Sequence, residues 1–165
     1  MRIGVPKEIK PQENRIGLTP DSVKTLVSEG HEVLVENNGG FEAGFDNDQY
    51  KNAGAKIIEK AADIFNDAEI IVKVKEPQKV EVEMIRENQI VYTYLHLAAA
   101  KELTEGLVKS KSINIAYETI TDDNGRLPFS TYECCSWTYV SSSRSTLSRK
   151  KSKRQRSFIR RSSRR

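Results

Sequence analysis

Arg15, Lys75 and His96 are the residues whose types and placement could do chemistry. Two are cationic residue types and the third is a histidine, the side chain whose reference pKa lies near neutrality, so together they are able to hold and protonate a small anion. Each falls just after a run that reads as a β-strand. Arg15 lies in the polar loop after Arg2–Val5, Lys75 directly follows Ile70–Val74, and His96 directly follows Gln89–Tyr94. Ligands of open parallel sheets gather beyond the carboxyl ends of the strands, because loops and helix N-termini converge there. Each residue also has a plainer reading. Arg15 is equally a solvated loop arginine, Lys75 a strand-end lysine reaching into water, and His96, between two leucines, a partly buried structural histidine. His31, at a helix-to-strand junction, reads as structural or exposed.

The elements that must position this trio follow from apolar periodicity. Short β-branched runs alternate with helical spacing. After Arg2–Val5 comes a helix capped by Thr19, with Pro20 in its first turn, Val23, Leu26 and Val27 on one face, and Gly30 suited to end it. His31–Glu36 reads as a strand, Asn37–Gly44 as a loop, Asp46–Gly54 as a short helix and Lys56–Ile58 as a strand. Helices over Ala61–Asn66, Lys79–Arg86 and Ala98–Val108 alternate with strands over Glu69–Val74, Gln89–Tyr94 and Ser112–Tyr117. Strands separated by helical segments imply right-handed crossovers. The expected fold for residues 1–128 is therefore α/β, a doubly wound, mostly parallel sheet with helices on both faces.

Several other classes find no support. Asn38-Gly39-Gly40 lacks the spacing of a phosphate-binding loop and reads as a turn, and the chain carries no glycine-rich dinucleotide fingerprint. It carries no metal-ligand cluster of histidine, cysteine and carboxylates. The acidic pairs Asp122-Asp123 and Glu81/Glu83 read as solvated surface. No apolar run approaches the roughly 20 residues of a membrane helix, and the N-terminus does not resemble a secretory signal, so a cytoplasmic address is expected.

The net charge of +4 is misleading until it is divided along the chain. Residues 130–165 carry 11 of the 27 lysines and arginines and one acid, a net +10, whereas residues 1–129 carry 16 bases and 22 acids, a net −6. Cys134, Cys135 and Trp137 all fall in the basic stretch, leaving a thiol-free acidic domain that suits a reducing compartment.

Met1-Arg-Ile-Gly-Val-Pro-Lys-Glu8, Glu13-Asn14-Arg15-Ile-Gly-Leu-Thr-Pro20, Val72-Lys73-Val74-Lys75-Glu76-Pro77, Tyr94-Leu95-His96-Leu97-Ala98 and Tyr117-Glu118-Thr119 occur in this order. Together they resemble the N-terminal part of bacterial alanine dehydrogenase, over essentially all of residues 1–128. The related proton-translocating transhydrogenase shares the opening motif, but the Lys-Glu-Pro and Leu-His-Leu-Ala segments favour the alanine enzyme. The resemblance implies an oxidoreductase that interconverts L-alanine with pyruvate and ammonia using NAD, and an oligomer, commonly a hexamer. It implies that Arg15 holds the substrate carboxylate. Lys75 would bond the carboxylate or keto oxygen and stabilise charge there, and His96 would serve as acid and base during carbinolamine formation and breakdown.

The match ends abruptly after Pro128. Family members continue into a Rossmann domain with NAD-binding glycines, whereas this chain becomes rich in serine and arginine. Read one base later with synonymous codons chosen freely, Tyr132-Glu133 permits Met-Ser. Trp137–Val140 permits Gly-Arg-Met-Ser, Ser141–Ser145 permits Val-Gln-Ala-Gly-Ala, and Ser157–Arg164 permits Val-Leu-Leu-Gly-Gly-Val-Pro-Gly. These words resemble the family's own continuation, in order, so a shifted reading frame with a junction near residues 129–131 is expected. The domains are accordingly 1–129, a substrate-side domain, and 130–165, an aberrant tail without the NAD-binding domain. The tail has few apolar residues and strong self-repulsion, so disorder is expected from about residue 140. Its +10 charge suits non-specific binding to RNA or acidic surfaces. Alone, such a chain is expected to be inactive and, with an apolar face uncovered, aggregation-prone. Two alternatives stay open: a basic-tailed nucleic-acid-binding protein built on a relict enzyme domain, and an N-terminal fragment of a transhydrogenase alpha subunit.

Overall fold

The computed structural model describes residues 1–127; the shifted frame and the expected disorder fall on residues outside these. The described residues fall into two units, one of Met1–Tyr117 and a second that begins at Glu118. The first holds six strands, β1 (Arg2–Val5), β2 (Glu32–Glu36), β3 (Lys56–Ile58), β4 (Ile70–Val72), β5 (Ile90–Thr93) and β6 (Ile113–Ala116). They form one all-parallel sheet in the order β3-β2-β1-β4-β5-β6. The helices between them are α1 (Pro20–Ser28), α2 (Asn47–Asn52), α3 (Ala61–Asp67), α4 (Lys79–Val82) and α5 (Lys101–Ser110). This is the doubly wound architecture that the alternating pattern requires.

Side-chain alternation along the strands divides the core in two. Ile3, Val5, Val33 and Val35 pack with Val23 of α1 and Tyr50 of α2, while Leu34, Ile71 and Val91 pack with Ile64 and Phe65 of α3 and Leu107 of α5. Gly4 makes the second packing possible. A Cβ on it would lie 2.5 Å from the Ile64 Cγ2 and 2.8 Å from the Ala68 Cβ, so only glycine lets α3 approach β1 this closely. Helix α1 begins as its sequence dictates: Thr19 accepts from the Ser22 N–H, Pro20 occupies the first turn, and Gly30 adopts φ +84° after the helix.

Among the boundaries that differ from the periodicity, three have a visible cause. Strand β4 stops at Val72, two residues early, because side chains beyond it take over the backbone hydrogen bonds. Helix α4 spans Lys79–Val82 and does not reach Arg86. The Arg86 guanidinium instead caps α3, donating to the carbonyls of Phe65 (3.1 Å) and Ala68 (2.8 Å). The expected helix from Ala98 is split into a 3-10 turn, Leu97–Ala99, and α5, because His96 is left-handed (φ +47°) and Ala100 is non-helical (φ −127°, ψ 71°). In the second unit, Asp122 and Asp123 are exposed as expected, and the Asp122 carboxylate accepts from the Asn124 and Arg126 N–H groups of a tight turn.

Candidate functional site

The carboxyl ends of β1, β4 and β5 lie side by side in the sheet, which places Arg15, Lys75 and His96 in segments leaving one edge. Lys75 leaves β4 half-buried, with its Nζ 5.2 Å from the centroid of the Tyr94 ring. That distance is in the range of cation–π attraction. The same ring stacks on the His96 imidazole, with centroids 5.9 Å apart and planes 12° from parallel. Tyr117 leans on Tyr94 at 6.1 Å and on Tyr92 at 5.6 Å. One aromatic side chain thus joins the ammonium to the imidazole. Buried Leu95 anchors the segment beneath His96, whose own side chain is exposed. Left-handed backbone at a non-glycine residue costs on the order of 1 kcal/mol, and such positions cluster at functional sites.

Arg15 stands on the loop between β1 and α1. Its Nε and Nη2 donate to the two oxygens of Glu13 at 2.7 and 2.5 Å, and its backbone N–H donates to Glu13 at 3.0 Å. These hydrogen bonds hold the Glu13 carboxyl below its ordinary 4.5, against the opposing effect of burial, and the Lys75 ammonium is close enough to add to the lowering. Electrostatics therefore tie Arg15, Glu13 and Lys75 into one neighbourhood, with Tyr94 and His96 attached through Lys75. A carboxylate already lies in the fork of Arg15, which shows that its donors fit that group.

Beneath the exposed rim lies a constellation that sequence reasoning missed. The Lys73 ammonium, with no side-chain exposure, lies 3.1 Å from Glu8 and 2.7 Å from Glu81, whose side chains are each 2% exposed. Glu83 is exposed, but its expected companion on the solvated surface, Glu81, is not: the buried cation draws it inward, and its other oxygen accepts the Gln78 N–H of the α4 capping box at 2.8 Å. The signal was a lysine inside a β-branched run, Ile70-Ile71-Val72-Lys73-Val74, which alternation turns toward the interior. The second missed residue, Tyr94, was hidden by its placement as the last residue of a strand; β5 ends at Thr93.

The first β–α connection is long and carries a single glycine. It runs from Pro6 to Thr19, carries the buried carboxylate of Glu8, and contains glycine only at position 17, where a Cβ would lie 2.6 Å from the Val72 carbonyl oxygen. A separate groove of about 630 Å³ between α4 and α5 is lined by Val82, Ile85, Leu103 and Gly106, and none of the rim cations reaches it. Among the described residues no cluster of histidine, cysteine or carboxylates could hold a metal ion, and no helix is long and apolar enough to cross a membrane.

The family model described as alanine dehydrogenase/PNT, N-terminal domain, matches residues 4–133. The alanine dehydrogenase of Staphylococcus epidermidis is 48% identical over 131 residues, covering 79% of this chain and 35% of the relative. A solved L-alanine dehydrogenase superposes with a TM-score of 0.76 at 50% identity, covering 78% of this chain and 36% of that one. A transhydrogenase from Sinorhizobium meliloti superposes with a TM-score of 0.68 at 28% identity, covering 73% and 36%. The chain thus spans about a third of the length of these relatives.

Proposed function

Since the chain belongs to the alanine dehydrogenase/PNT N-terminal domain family, we propose that its rim is the substrate side of an NAD-dependent L-alanine dehydrogenase. The alanine enzyme is preferred to the transhydrogenase because identity is 50% to the former's structure and 28% to the latter's. The observation that carries the reading is the Tyr94 ring, which brings the Lys75 ammonium and the His96 imidazole together beside the Arg15–Glu13 pair.

In this reading Arg15 exchanges the fork it offers Glu13 for the carboxylate of alanine or pyruvate. Lys75 donates to the keto oxygen or the carboxylate and stabilises negative charge that develops on oxygen. His96, exposed and therefore open to water, carries the proton to and from the substrate oxygen as the carbinolamine forms and breaks down. NAD supplies the hydride acceptor of the family reaction, and we place it on parts of the enzyme other than residues 1–127.

We further propose that the residues after about 129–131 are read in a shifted frame, and that this chain alone does not turn over alanine. The nucleotide sequence around codon 130 tests the first point: an uninterrupted frame whose alternative phase encodes no glycine-rich continuation overturns it. Alanine oxidation with NAD by the purified 165-residue chain overturns the second. The rim itself is tested by titrating pyruvate into the chain and following the Lys75 and His96 resonances. Binding is expected to be lost in Arg15→Met and Lys75→Met, and pyruvate that leaves these resonances unmoved overturns the assignment. Salt-dependent RNA binding that survives those substitutions and disappears on deleting residues 141–165 would favour a binding protein instead.

A further inference from the structure

We propose that Glu8 is a positioning residue for Lys75, holding its peptide from beneath while Lys73 and Glu81 hold Glu8. The inference rests on the rim reading above for what Lys75 does, but not for how it is held.

The sheet stops providing partners for the β4 backbone near Val72, yet the polar groups that follow must still be satisfied. Side chains from distant segments supply them. Glu8 Oε1 accepts the Val74 N–H at 2.6 Å and lies 3.4 Å from the Lys75 N–H. On the other edge of the Val74–Lys75 peptide, the Tyr117 hydroxyl donates to the Val74 carbonyl at 2.6 Å, and the Thr93 hydroxyl donates to the Lys75 carbonyl of the following peptide at 2.7 Å. The Lys73 N–H donates to the Tyr92 carbonyl at 3.1 Å. The peptide groups just before Lys75 are therefore clamped on both sides, and the direction in which its side chain leaves toward Tyr94 is fixed by that clamp.

The clamp specifically requires a carboxylate at position 8. While Glu8 Oε1 faces the two amides, Oε2 lies 3.1 Å from the Lys73 ammonium. Both neighbours are donors, so both oxygens must be acceptors at once. Glutamine has one acceptor and one donor, and turning its oxygen to either neighbour sets its NH2 against the other. Glu81 uses its oxygens in the same divided way, one on Lys73 and one on the Gln78 amide. Neutralising Glu8 still leaves Lys73 paired one to one with Glu81, so the loss concentrates on the Val74 and Lys75 peptides.

Amide hydrogen exchange and the Lys75 Hε chemical shift, measured by NMR on the 165-residue chain, test this. In Glu8→Gln, exchange at Val74 and Lys75 is expected to rise about tenfold or more above any change at Ile3 and Ile71. The shift that the Tyr94 ring imposes on Lys75 should shrink toward its value in a disordered peptide. Glu81→Gln disturbs the same ammonium through the other carboxylate, and is expected to loosen Gln78 while leaving the Lys75 shift in place. Unchanged protection and shift at Lys75 in Glu8→Gln overturn the proposal. So does a uniform rise across β1 and β4, which is the behaviour of a merely structural ion pair. Should Glu8→Gln fail to fold, Glu8→Asp keeps the charge while withdrawing the carboxylate, and carries the same readouts and outcomes. Pyruvate that does not bind the unsubstituted chain defeats the rim reading without touching these signals.

Discussion

Lys73 and Lys75 are the same residue type, two positions apart at the end of one strand, and they live in opposite worlds. Lys73 is sealed between two carboxylates beneath the sheet edge; Lys75 reaches over an aromatic ring at the surface, beside an arginine whose side chain is 45% exposed. Under the proposed function, the difference separates holding from binding. A sealed cation with fixed partners ties segments together, because breaking a buried pair leaves charge with neither water nor counter-ion. A cation at the rim can trade one anion for another at little cost, which is what a substrate requires.

The sharpest way to break this comparison is to remove each lysine in turn. Lys73→Met leaves the Glu8 and Glu81 carboxylates buried without their cation and should cost roughly 3–5 kcal/mol, read from the denaturant midpoint. Lys75→Met should cost about 0.5 kcal/mol or less in the same measurement. Similar losses in the two variants would show that the rim is structural as well. Gly4→Ala tests the packing that supports the holding region, and should destabilise by about 1–3 kcal/mol through its clash with Ile64 and Ala68. Tyr117→Phe keeps the ring against Tyr94 but removes the hydroxyl from the Val74 carbonyl, for about 1 kcal/mol.

The smallest effects sharpen the comparison through pH. The Glu13 carboxyl is held below its ordinary value by Arg15, so its contribution to stability is present above about pH 4.5 and is lost as pH falls through the lower folded value. Glu13→Gln should flatten that acid limb by a fraction of a kcal/mol, since Arg15 is well solvated. Burial pushes the Glu36 carboxyl the other way, with Glu81 reinforcing the rise. Stability should therefore decline as pH climbs from about 4.5 through the raised Glu36 value, and Glu36→Gln should remove the decline. Thermal unfolding between pH 3 and 7 would reveal both slopes.

Most of the fold was legible because its signals are local. Strands β1, β2 and β3 were readable from β-branched runs with glycine close by, β6 from its alternating Ile113 and Ile115, and α1 from Thr19, Pro20 and Gly30, all within a few residues of what they control. The ends of β4 and α4 were not, because they are decided at long range: Glu8 takes the amides beyond Val72, and Arg86 leaves the helical path to cap α3. The same split runs through the site. A strand-end rule finds Lys75 and His96, but no spacing announces that Tyr94 joins them. Glu81 differs locally from exposed Glu83 only by its capping-box spacing from Gln78; the fold alone brings Lys73 to it.

The pairing of Glu8 with Lys73 spans 65 positions of chain, and that has a consequence during biosynthesis. At about 5–20 residues added per second, the ribosome needs roughly 3 to 13 s to make the second partner after the first. Throughout that interval Glu8 has no buried cation to meet, and its hydration opposes early collapse of the N-terminal strand onto non-native apolar surface. Closure of this ionic lock therefore follows synthesis of β2, β3 and β4 and of the helices between them.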